Sequence, residues 1–142
     1  MEAKTILLGG DEYVYAWIEP FGDSDDIVRQ TLASRKYLAD RKVGPADGWA
    51  TWDSTNGLFK RIGYSIRMGS DGTEEITTLN NKFESVYNAG GIYHLMCHPI
   101  NVNWQAGGYA DSHTDYISNR NDVWYVSFGL LYLYRWIATQ NV

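Results

Sequence analysis

The order of strand-type and helix-type segments limits the folds open to this chain more than any other feature of its sequence. Branched and aromatic residues predict strands over 12–18, 37–39, 62–68, 92–97 and 122–126. Apolar residues at helical spacing predict helices between Ser24 and Arg35 and over 74–88, 112–117 and 130–137. Such alternation is typical of an α/β fold with a largely parallel sheet. The tight turn after Met68 leaves a mixed sheet as an alternative.

Composition and charge exclude several classes of protein. The chain has 142 residues, which suits one domain over 1–142, and a net charge of −5, which argues against a nucleic-acid surface. No apolar run approaches the roughly 20 residues that cross a bilayer, and the early Glu2 makes the first residues a poor signal peptide. The single cysteine, Cys97, excludes an intrachain disulfide framework and a zinc site built from several cysteines.

The stretch from Gly90 to Trp104 contains two of the three histidines, and His98 falls where a predicted strand ends. In α/β sheets the chemistry gathers just past the carboxyl ends of the strands. Histidine also exchanges protons near neutral pH and binds metals. We therefore interpret His98 as a candidate catalytic residue, and His94, inside the strand, as a hydrogen-bonded interior histidine.

Two further segments supply polar candidates. Asp111 and His113 stand two residues apart, where they could orient each other or bind a metal; a helix cap beside a surface histidine is the alternative. Glu19 follows the first predicted strand and would share a rim with His98 if the sheet is parallel. A simple turn before a helix would also explain that segment.

Aromatic residues form 15% of the chain, and rings of this kind stack well on sugars. A predicted loop over 42–56 carries Trp49 and Trp52, and a second over 99–112 carries Trp104 and Tyr109. These four residues are the candidate carbohydrate platform. The alternative is that they only fill a small core.

Three motifs in order resemble the C-terminal half of the polysaccharide deacetylases, the NodB-type carbohydrate esterases. Trp17–Gly22 is similar to the arginine–proline–aromatic–glycine motif of that family, with Glu19 in the place of the arginine. Gly91–Pro99 resembles its last motif, a strand that ends in a leucine and a histidine. Asp122–Gly129 resembles its closing tryptophan and phenylalanine–glycine segment. The likeness runs from about residue 13 to residue 136.

The resemblance implies a distorted (β/α) barrel, and a divalent metal, usually zinc, that assists removal of acetyl groups from sugars. It gives His98 the role of the acid, whereas the aspartate and the His-x-x-x-His metal motif of the family have no counterpart in the sequence. We therefore expect a partial barrel completed by homo-oligomerisation, since half a barrel leaves open edges. Full-length proteins of this family are often extracellular or periplasmic.

The predicted function is that of a carbohydrate-active hydrolase, resembling polysaccharide deacetylases, that removes acyl groups from sugars. His98 would be the acid, with Glu19 and Asp111 nearby and His113 as a metal ligand. The alternatives are a non-catalytic carbohydrate-binding module, a glycoside hydrolase that uses carboxylates such as Glu19 and Asp53, and an inactive truncated remnant.

Overall fold

The computed structural model describes residues 15–64, 66–69 and 75–140, and these divide into two compact units. The first unit contains the described residues up to Val43, together with 50–62 and those from Val126 onward. The second unit contains 44–49 and the described residues from Gly63 to Tyr125. Residues 12–14 of the first predicted strand and residue 74 of a predicted helix lie outside the described ranges.

The first unit starts with a strand–helix–strand connection. Strand β1 (Ala16–Ile18) lies parallel to β2 (Ala39–Pro45), with Ala16 opposite Ala39. Helix α1 (Asp26–Ser34) joins them, and it begins where it does because the Asp25 carboxylate accepts the backbone N–H of Val28 at 2.8 Å. The predicted parallel pairing is confirmed for these two strands.

The loop predicted over 42–56 is wrong at 42–45 and at 52–53, because β2 continues to Pro45 and a hairpin follows, whereas 46–51 lie outside any helix or strand as predicted. Strand β3 (Trp52–Asp53) pairs antiparallel with β4 (Leu58–Tyr64), and the sheet order is β1-β2-β4-β3. The Asp53 carboxylate accepts the backbone N–H groups of Thr55 and Asn56, at 3.0 and 3.2 Å, which closes the turn.

The core of the first unit lies between this sheet and helix α4 (Phe128–Gln140), which confirms and extends the helix predicted over 130–137. The side chain of Tyr132 is at its centre, 5.0 Å from the Phe59 ring and 5.3 Å from the Phe128 ring between centroids. Its hydroxyl oxygen accepts the backbone N–H of Ala50 at 3.2 Å. The buried members of this core are Tyr15, Leu38, Ala39, Phe59, Ile62, Tyr132 and Leu133.

The second unit repeats the strand–helix–strand pattern. Strand β5 (Ile66–Arg67) lies parallel to β6 (Leu95–Met96), and helix α2 (Ile76–Asn88) connects them. Helix α3 (Tyr109–Ile117) packs against α2. The strand predicted over 62–68 is therefore divided between β4 and β5. The buried core contains Met68, Leu79, Val102 and Ala110, and Cys97 packs against it.

The strand predicted over 122–126 is wrong. The Tyr125 hydroxyl donates to the carbonyl of Ile117 and accepts the backbone N–H of Arg120, so its side chain turns back to the end of α3. The hydroxyl of Tyr87, on α2, donates to the carboxylate of Asp122. These side-chain contacts, and not a sheet ladder, hold this segment.

The described residues thus have a mixed α/β fold that contains both parallel and antiparallel strand pairs. Over those residues the sheets do not close into a barrel. Within the same ranges, no helix combines the length and apolar character that crossing a membrane requires.

Candidate functional site

His98 is exposed just past the carboxyl end of β6. A short 3₁₀ turn (Pro99–Asn101) begins directly after it, and the Asn101 N–H donates to the His98 carbonyl at 2.8 Å. The imidazole therefore stands at the rim of a parallel strand pair, where α/β proteins commonly place reactive groups.

The loop between His98 and α3 is held by its own contacts. Val102 enters the core of the second unit, and the Asn103 carboxamide oxygen accepts the Gln105 N–H at 3.1 Å. Gly108 lies so close to Asn103 that a Cβ there would come within 2.6 Å of the Asn103 carbonyl oxygen. The loop leaves Trp104 42% exposed.

Asp111, predicted to act near His98, has a structural contact in the first turn of α3. Its Oδ2 atom accepts the N–H of Gly107 at 2.9 Å. The side chain is half-buried. Asp111 therefore stabilises the start of α3, in agreement with the alternative of a helix cap. A catalytic role for Asp111 stays a prediction.

His113 is buried with no exposed surface, so the alternative of a surface histidine is wrong. Its Nδ1 lies 2.8 Å from the Asn80 Oδ1 and its Nε2 lies 2.9 Å from the Tyr93 hydroxyl. Because an amide oxygen only accepts, this orientation of Asn80 assigns the proton to Nδ1, and Nε2 accepts from Tyr93. Burial lowers the pKa of His113 from 6.5 to about 4, which keeps the ring neutral.

The residues present fit the implied metal poorly. Both nitrogens of His113 are engaged, so binding an ion there would break one of its two hydrogen bonds. Among the residues that the structure describes, no three His, Cys, Asp or Glu side chains are grouped so that they could hold one ion. A zinc ion stays a prediction.

His94 has the role predicted for an interior histidine. It is half-buried, and its Nδ1 lies 3.0 Å from the carbonyl oxygen of Gly63. Gly63 must be glycine because a Cβ there would lie 1.9 Å from the Gly44 carbonyl oxygen. His94 therefore fixes the segment before β6 and leaves His98 as the exposed histidine of this stretch.

Glu19 belongs to the first unit, whereas His98, Asp111 and His113 belong to the second. It is buried just after β1, and its backbone N–H donates to the Arg41 carbonyl at 3.0 Å. Trp17 lies opposite Asp40 in the parallel register, so Glu19 and the buried Asp40 share one face of the sheet. Asp40 had no sequence signal of its own, because the strand predicted over 37–39 stops before it, whereas β2 continues to Pro45.

The four aromatic candidates are also divided between the units. Trp52 lies in the first unit, with its ring edge-on to Phe59 at 5.2 Å between centroids. Trp49, Trp104 and Tyr109 lie in the second unit. Tyr109 is half-buried against that unit's core, which supports the core-filling alternative for this residue. The exposed Trp104 is the one that shares a loop with His98.

Two residues of the site, Tyr93 and Asn80, were not predicted from the sequence. Both are polar partners of His113 from distant parts of the chain. No local pattern marks such partners, since each of them reaches His113 only in the folded chain. Comparisons with protein-family models, with characterised proteins and with solved structures found no match for this chain. The resemblance to deacetylases therefore rests on its three motifs.

Proposed function

We propose that this chain is a carbohydrate-active hydrolase that removes acyl groups from sugars, with His98 as the group that moves the proton. The observation that carries the proposal is the exposed His98 two residues after β6, at the carboxyl end of a parallel strand pair. The motif around His98, which resembles the last motif of the polysaccharide deacetylases, supports it.

Hydrolysis of the acyl group needs one side chain that acts first as a base and then as an acid. His98 takes a proton from a water molecule, and the oxygen of that water bonds to the acyl carbonyl carbon. The tetrahedral intermediate then breaks its bond to the sugar oxygen or nitrogen. The His98 imidazolium gives its proton to that leaving atom, which restores the neutral ring and releases the carboxylic acid.

Trp104 supports the choice of a sugar as the substrate. It lies six residues after His98 in the same loop, and the residue is exposed. An indole face is apolar and flat, and it suits the C–H face of a sugar ring. A half-barrel completed by a second copy of the chain also belongs to this proposal, and sedimentation in solution can check it.

Replacement of His98 by Ala should lower kcat/KM for an acetylated sugar by about 100-fold or more, as is typical when a general acid–base group is removed. The matched control is Ile100→Ala, which changes a side chain that is 94% exposed two residues further on. Both variants should keep the circular dichroism spectrum of the wild type. Turnover by His98→Ala within threefold of the wild-type rate would remove His98 from the mechanism.

A non-catalytic carbohydrate-binding module is the second candidate, and the exposure of Trp104 favours it. A folded protein that binds insoluble glycan but releases no acetate would select this candidate. In that case Trp104→Ala should abolish the binding, whereas His98→Ala should leave it intact. Acetate release and glycan binding, measured on the wild type, His98→Ala and Trp104→Ala, therefore separate the two candidates.

A further inference from the structure

Two consecutive side chains fix the segment that leads into β6. The Tyr93 hydroxyl lies 2.9 Å from His113 Nε2, and His94 Nδ1 lies 3.0 Å from the Gly63 carbonyl oxygen. The first contact reaches helix α3, and the second reaches strand β4. The chain is therefore held on two sides just before the strand that precedes His98.

The contact of Tyr93 with His113 extends to helix α2. His113 Nδ1 lies 2.8 Å from Asn80 Oδ1, so one buried imidazole joins Tyr93, on the segment before β6, to both helices. The Tyr93 ring also stands edge-on to Phe83 of α2, with 5.2 Å between the ring centroids. Because His113 has no exposed surface, water cannot replace the Tyr93 hydroxyl without opening this packing.

Strand β6 is too short to fix its own direction. It has two residues, and the ladder bonds that flank it run from the Ile66 N–H to the His94 carbonyl, at 3.4 Å, and from the Met68 N–H to the Met96 carbonyl, at 2.8 Å. Strands of this length depend on other contacts for their order. His98 follows Met96 by two residues, so any movement of β6 moves the imidazole.

We propose that Tyr93 is a positioning residue for His98. Its hydroxyl, bound to the buried His113, sets the direction in which β6 leaves the core and thereby the place of the exposed imidazole. The consequence for turnover rests on the proposed function, whereas the consequence for the order of β6 does not.

Amide hydrogen exchange of the Met68 and Asn101 N–H groups, which bond to β6 and to His98, tests the positioning. In Tyr93→Phe these two amides should exchange about five- to tenfold faster than in the wild type, as expected for the loss of one buried hydrogen bond. The matched control is Tyr116→Phe, which removes a hydroxyl that donates to Glu84 at 2.7 Å from a ring that also packs on Phe83. Unchanged exchange in Tyr93→Phe, or an equal rise in the control, would overturn the proposal.

A second pair of variants separates positioning from general loss of packing. His113→Gln keeps an oxygen acceptor near the place of Nε2, whereas His113→Leu keeps only volume. The Gln variant should hold the two amides within twofold of the wild-type exchange rate, and the Leu variant should not. Equal exchange rates in the two variants would contradict the role given to the Tyr93 hydroxyl.

Measurement of turnover tests whether the positioning by Tyr93 affects catalysis. Tyr93→Phe should lower kcat about tenfold and leave KM unchanged, because the substrate contacts remain while the proton-transfer geometry is lost. A wild-type protein without acyl release would refute the proposed function, and the exchange measurement would still decide the positioning. Faster exchange at Met68 and Asn101 together with an unchanged kcat would overturn the link to His98.

Discussion

The free energy of unfolding should fall by about 3 kcal/mol when the pH is lowered from 6.5 to 4, because His113 is held neutral inside the second unit. Burial lowers the pKa of His113 from 6.5 to about 4. The unfolded chain therefore binds a proton in this range that the folded chain does not bind. At about 1.4 kcal/mol for each pH unit, the difference corresponds to roughly 3 kcal/mol.

The sign follows from which state binds more protons. Between pH 6.5 and 4 the unfolded state binds more, so stability rises with pH and is lost on acidification. Urea unfolding at a series of pH values measures this loss, and His113→Gln is the control, since it has no proton to bind at this position. Carboxylates with a lowered pKa, such as Asp47 beside Lys82, act equally in both proteins. A pH dependence as steep in His113→Gln as in the wild type would contradict the prediction.

Replacing Tyr132 by Ala should cost about 3–5 kcal/mol of stability, as is usual when a large buried aromatic side chain is removed. Tyr132 is almost wholly buried at the centre of the first unit's core, between the rings of Phe59 and Phe128. A loss of this size is a large part of the total stability of a small protein. Urea unfolding followed by circular dichroism measures it.

Tyr132→Phe is the matched control, because it keeps the ring and removes only the hydroxyl. The Ala50 N–H then loses its acceptor, which should cost about 1–3 kcal/mol. If this variant lost as much stability as Tyr132→Ala, the ring packing would not be what holds the core together.

The elements with strong local signals could be predicted from the sequence. Helix α2 has Leu79, Phe83 and Val86 at helical spacing, and all three are buried as that spacing requires. The strand that ends before His98 also forms, in parallel with β5 as the alternation indicated, but only Leu95–Met96 of the predicted 92–97 belong to it, so His94 lies outside the strand. Local periodicity was sufficient for the helix because its buried side chains recur at the helical period along one element.

The errors come from contacts between distant residues. Gly44 and Pro45 are typical of a chain break, yet they end a strand whose partner, β4, lies 13 residues or more further along the chain. Trp124 and Tyr125 have the composition of a strand, but Tyr125 hydrogen-bonds back to the end of α3. Neither the continuation of β2 to Pro45 nor the irregular conformation around Tyr125 can be predicted from neighbouring residues, because each depends on a contact with a residue that is distant in the sequence.

Some features of the candidate site could likewise be predicted from the sequence, and others could not. The position of His98 at a strand end followed from the order of elements, and the exposure of Trp104 is compatible with its predicted place in a loop. The environment of His113 could not be predicted, because its partners, Tyr93 and Asn80, stand 20 and 33 residues away. Buried hydrogen-bond networks of this kind need the packing of the helices before their members can be recognised.

Acetate release from acetylated sugars and from a chromogenic acetate ester tests the proposed function most directly. The wild-type protein and His98→Ala are compared with zinc added and then with a chelator, so that the same experiment shows whether a metal takes part. We predict release by the wild-type protein that His98→Ala lacks. No release by the folded wild type, or equal release by the two proteins, would contradict a hydrolase that depends on His98.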